Sequence, residues 1–76
     1  VNQSIKASVT IGSNMRHLRK LKGFTQDALA AQLQLLGCDL SGGNYAKIEA
    51  GIRHISLEEL KAVKTVFNTT YDELLK

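Results

Sequence analysis

A chain of 76 residues with 43% apolar side chains, one cysteine and no proline is a single small domain that cannot close a disulfide within itself. At this size only ~60–65% of the unfolded surface is buried, so well-matched short helices or a partner must supply stability. The net charge of +3 is modest but unevenly placed: Val1 to Gln26 carries Lys6, Arg16, Arg19, Lys20 and Lys22 and no acid, while all seven acids fall from Asp27 onward.

A basic amino-terminal third suits an anionic polymer, although charged faces are more often simply solvated. No apolar run approaches the ~18 residues of a membrane span, and no signal-peptide pattern opens the chain. No His/Cys cluster has zinc spacing, so neither metal nor cofactor is expected. The free thiol fits a reducing cytoplasm. The chain starts on Val1 rather than Met, as a processed chain or a piece of a longer one does.

Residues 1–9 are polar and without helical periodicity. They read as a flexible arm ahead of a domain spanning 10–76, with Lys6 either touching a phosphate or fraying with the terminus. A first helix is predicted over Ile11–Lys22, capped by Thr10, with Ile11, Met15, Leu18 and Leu21 as its apolar stripe. Arg16, His17 and Lys20 lie off that stripe, and Gly23 ends the helix.

The second helix opens at Thr25, whose hydroxyl caps the first turn, with Asp27 at the positive end of the dipole. Ala28, Leu29, Leu33 and Leu36 line one side, Gln26 is an exposed hydrogen-bonder, and Gly37 is the stop. Cys38 reads as a small residue packed at a turn; the redox-switch alternative lacks a basic neighbour. Ser41 caps a third helix with Tyr45 and Ile48 inward and Asn44 and Lys47 outward. Gly42 and Gly43 each cost that helix ~1 kcal/mol relative to Ala, so packing must hold it.

Ser56 and Glu59 form a capping box for a fourth helix with Leu57, Leu60, Val63, Val66 and Phe67 as its stripe. Thr70 and Glu73 repeat the box for a short fifth helix with Tyr71, Leu74 and Leu75 inward. No strand, repeat or low-complexity stretch is found, so the chain reads as all-α.

Helix, turn, second helix and then Gly51 and Arg53 is the layout of a helix-turn-helix DNA reader. Short motifs extend the likeness. Ile11-Gly12, Leu18-Arg19-Lys20, Gly23-Phe24-Thr25-Gln26, Leu29-Ala30, Ser41, Lys47-Ile48-Glu49, Gly51, Ser56-Leu57-Glu58-Glu59-Leu60 and Tyr71-Asp72-Glu73-Leu74-Leu75 follow one another in the order of the phage-repressor-like (Cro-type, XRE) helix-turn-helix family, which the chain resembles from about Ile11 to Leu75.

The resemblance implies a compact five-helix, lambda-repressor-like bundle with Ser41–Glu49 in the major groove. It implies that Gln26 holds a phosphate and that Arg19 and Glu49 form an internal ion pair. Two departures stand out. The stretch between Gln26 and Gly51 is longer than in the shortest members. Its surplus, Gln34–Cys38, is expected to pack inside the monomer, with a partner subunit or an appended domain as the alternative. Gly42 and Gly43 stand where the family presents polar side chains; there the backbone can approach DNA closely but makes no bidentate contact.

The expected function is a sequence-specific, DNA-binding transcriptional regulator. Gln26, Arg53, Lys47 or Lys22 would hold phosphates. Asn44 would read a base, with Lys47, Ser41 and Tyr45 as lesser readers. So small a reading surface calls for a homodimer on double-stranded DNA. The alternative is a protein-interaction module on the same fold with weakened DNA readout. An enzyme is not expected, for the sequence has no glycine-rich phosphate loop, paired carboxylates in a cleft or Ser/His/Asp arrangement. The expected setting is the cytoplasm of a bacterial or phage-type system, at the nucleoid.

Overall fold

In a computed structural model describing residues 3–76, with side chains from residue 7 on, five helices follow in order: α1 Gln3–Leu21, α2 Gln26–Leu35, α3 Gly42–Glu49, α4 Leu57–Phe67 and α5 Tyr71–Leu75. No strand occurs among the described residues, and none of the helices is long and apolar enough to cross a membrane.

The helix starts were legible because each rests on a local hydrogen bond. Thr25, Ser41, Ser56 and Thr70 cap α2 to α5, each hydroxyl accepting from the backbone N–H three residues on at 3.1–3.2 Å. At Ser56 the box is complete, because Glu59 accepts from the Ser56 N–H at 2.9 Å. The expected second box is only half formed: Glu73 turns instead to Lys76 Nζ at 2.9 Å.

The first helix departs from expectation. It begins at Gln3, well ahead of the Thr10 cap, so residues 3–9 are helical rather than an arm. A tertiary contact holds this segment where periodicity is weak. Ser8 is buried, with its Oγ 2.6 Å from His54 Nδ1 in the segment after α3. The arm reading for Val1 and Asn2, and the phosphate contact suggested for Lys6, fall outside the described residues and side chains.

Met15, Leu29, Leu33, Leu40, Tyr45, Ile48, Val63, Phe67 and Leu74, each at most 1% exposed, form one core drawn from all five helices and the α2–α3 turn. Full burial of a large apolar side chain contributes ~1.5–3 kcal/mol, so these residues dominate the packing. Gly12 is buried where α1 crosses α3. A Cβ there would fall on the Ile48 and Glu49 carbonyl oxygens, so the two backbones meet directly. Two residues on, and on the other side of α1, Asn14 Nδ2 donates to the Leu74 carbonyl at 2.8 Å and ties down α5.

Several residues predicted to face inward are exposed: Leu21, Leu57, Tyr71 and Leu75. Each is the first or last residue of its helix, past the reach of the neighbouring element. The surplus stretch divides in the same way. Cys38 is half-buried, and Leu40 just beyond the stretch is buried, but Leu35 is 79% and Leu36 51% exposed, so the expectation that the stretch packs inside the monomer fails for both leucines. Leu35 lies about 200° round the helix from Leu33, on the solvent face. Leu36 has already left the helix, because Gly37 at φ +80° lets the Gly37 and Cys38 N–H groups fold back onto the Gln34 and Leu33 carbonyls.

Candidate nucleic-acid interface

α2 and α3 pack against each other and leave one side of α3 open. Tyr45 and Ile48 enter the core, while Gly43, Asn44, Lys47 and Ala50 are exposed. Among the described residues the Asn44 and Lys47 side chains have no hydrogen-bond or ion-pair partner, so their polar ends are free for a ligand. Ser41 Oγ accepts from the Asn44 N–H at 3.1 Å, which leaves its own O–H available.

The structure removes Tyr45 from the expected DNA contacts. Its ring is fully buried, and its hydroxyl lies beside Arg19 and Glu49 without a hydrogen bond of ordinary geometry. Burial, with the Glu49 carboxylate close by, pushes that phenol far above its usual range. The two glycines of α3 also differ. Gly42 is half-buried, and a Cβ on it would strike the Asp27 carboxylate of α2, so its small size serves helix packing. Gly43 faces open space.

Beneath this surface sits a polar knot centred on Glu49. Arg19 Nε donates to Glu49 Oε2 at 2.6 Å and its Nη2 to Oε1 at 3.2 Å, with the two side chains only 10% and 4% exposed. Arg19 Nη1 also donates to the Phe24 carbonyl at 2.8 Å, fixing the α1–α2 turn. Burial alone would raise the Glu49 pKa, but the hydrogen bonds from Arg19 and Gln26, with the Tyr45 hydroxyl close by, outweigh it and hold the carboxyl below its ordinary range.

Gln26 belongs to the knot as well, because its Nε2 donates to Glu49 Oε1 at 3.1 Å. A carboxylate only accepts, so Glu49 turns the NH2 end of the amide toward itself and leaves the second N–H free. Next to Gln26 opens a cleft of ≈ 480 Å³ between the end of α1, the start of α2 and the outer side of α3. Thr25, Gln26, Ala46 and Ala50 line it, together with Arg16, which sequence reasoning left as a surface residue. The available signal was spacing: Arg16 stands three residues before Arg19 and shares its side of α1.

Arg53 is less free than its position suggests. Its guanidinium makes two 3.1 Å bonds to Glu59, the residue that also caps α4. Burial opposes ionisation of Glu59, but Arg53 and the Ser56 N–H prevail and lower its pKa. Cys38 moves the other way: burial, with Glu59 and Asp39 nearby, raises its thiol, which leaves it mostly unionised and a poor nucleophile. No group of three or more His, Cys, Asp or Glu among the described residues could hold a metal ion.

Two capped helices joined by a turn, the second buried on one side and bare on the other, define a helix-turn-helix domain. Residues 15–74 match the profile of the helix-turn-helix family. The chain belongs to that family, in its XRE/Cro-type branch, and is a DNA-binding helix-turn-helix regulator. Among curated proteins and among solved structures, nothing matches it significantly.

Proposed function

We propose that the chain is a sequence-specific transcriptional regulator that lays α3 in the major groove of double-stranded DNA and acts as a homodimer. The observation that carries this reading is the exposed side of α3, where Asn44 and Lys47 present unpaired polar groups while the opposite side is locked into the core. Asn is the natural bidentate partner of adenine, and Lys donates to guanine. Gln26, Lys47, Lys22 and the remaining donors of Arg53 supply phosphate contacts that set register, with Ser41 and the bare backbone at Gly43 close to the groove, while Gly42 is packed against Asp27.

With one glycine open and the other packed away, few side chains remain for base reading. Each good bidentate contact discriminates by ~1–3 kcal/mol, so two copies on two half-sites about one helical turn apart supply the rest. Such a regulator acts at the nucleoid of a bacterial or phage-infected cell. Selection of bound duplexes from a random pool tests the reading: the expected product is a two-fold symmetric consensus, and a pool that never enriches would sink it.

A protein-interaction module is the second reading, favoured by the exposed Leu35 and Leu36. A gel shift on mixed-sequence duplex at ~50 mM salt separates the two, since phosphate contacts are strongest there and the interaction module would leave the duplex unshifted.

A further inference from the structure

We infer that Arg16 is a phosphate contact, which extends the DNA footprint from α2 and α3 onto α1; the inference rests on the DNA-binding reading above. Arg16 is exposed and has no hydrogen bond or ion pair among the described residues. Its neighbours three and four positions away on α1 are Gly12, Ser13, Arg19 and Lys20, so no carboxylate on its own helix face neutralises it. The one acid lining its cleft is Glu49, whose oxygens are already shared by Arg19 and Gln26.

The cleft is open on the side where α3 bears its short residues. Ala46 and Ala50 form that wall, and no long side chain bars a phosphodiester from reaching between α1 and α2. Gln26 faces the same space with one N–H unspent. An arginine and an amide N–H converging on one opening match the charge and the acceptor oxygens of a backbone phosphate, and the planar guanidinium suits it better than a point charge. Arg16 therefore grips the phosphate that Gln26 also touches, and the two act as a pair rather than as separate contacts.

The test is a salt titration of the full chain on mixed-sequence duplex, with Arg16→Gln, Arg16→Lys, Gln26→Ala and the Arg16→Gln/Gln26→Ala double variant. Arg16→Gln is expected to bind several-fold more weakly at low salt and to lower the slope of log K against log salt by ~0.9, the loss of one phosphate contact. Arg16→Lys should keep the slope. The double variant should lose less than the sum of the singles. Arg16→Gln and Arg16→Lys should unfold at the parent's midpoint within error, because that side chain is exposed, whereas the two variants without Gln26 give up its bond to Glu49 and should unfold somewhat earlier. An unchanged slope in Arg16→Gln, or additive losses in the double variant, overturns the inference. Absence of binding by the parent chain itself overturns the DNA reading instead.

Discussion

Glu49 receives three side-chain hydrogen bonds in one knot, and removing its cation leaves a buried carboxylate unpaired. Arg19→Met is therefore expected to lower stability by about 3 kcal/mol, the low end for a buried pair because the adjoining cleft admits water, whereas Arg19→Met with Glu49→Leu should recover most of it. Urea unfolding at neutral pH checks this; a loss under ~1 kcal/mol in the single variant would show the pair to be solvated. The pH dependence follows from the same geometry. Glu49 and Glu59 both have folded pKa values below the ordinary glutamate value of 4.5. Their contribution is thus complete above that value and is lost as the pH falls through the lower folded values. The double variant should lose part of this acid sensitivity. The resemblance pointed to the Arg19–Glu49 pair from two distant positions. It did not point to Gln26 as a third member, since an amide at a helix start looks the same whether it faces solvent or a carboxylate.

Among the elements, α2 shows where periodicity informs and where it misleads. Its stripe through Leu29 and Leu33 was legible, but the apolar run to Leu36 outlasts the helix, and sequence hydrophobicity cannot tell a side chain that ends in the core from one left outside. The leucines around the α2–α3 turn should accordingly differ sharply on substitution. Leu40→Ala is expected to cost ~2–5 kcal/mol, as a fully buried leucine does. Leu35→Gln should stay within ~0.5 kcal/mol of the parent. Thermal melts distinguish them, and a large loss in Leu35→Gln would mean that the exposed end of α2 is covered in solution. α1 was misjudged for the opposite reason. Its first turns lack a stripe of their own, and they are held by the Ser8–His54 contact between residues 46 positions apart, which no local pattern reveals.

At the level of the whole molecule, the proposed DNA reading puts affinity and discrimination on different parts of the surface. Arg16, Lys22 and Arg53 would act on any duplex, and the free face of α3 would distinguish one from another. Asn44→Ala should thus blur the selected consensus at one position per half-site while leaving the salt slope near that of the parent. Competition binding with matched and mismatched duplexes measures this, and equal discrimination before and after the change would remove Asn44 from the readers. The five-helix architecture was readable because caps, stripes and stops agree along the chain. The interface was less so. Tyr45, read both as inward and as a lesser base reader, and Gly42, read as open backbone, are settled as packed only when Arg19, Glu49 and Asp27 are seen against them.

Gly12 gives the domain a mechanical property. Where α1 crosses α3, no side chain stands between the Gly12 Cα and the Ile48 and Glu49 carbonyls. Most helix contacts are cushioned by side chains that absorb a small tilt by changing rotamer; here there is nothing to compress. α3 is mounted on α1 as on a rigid bracket, and whatever rotates α1 swings the exposed face of α3 through the same angle.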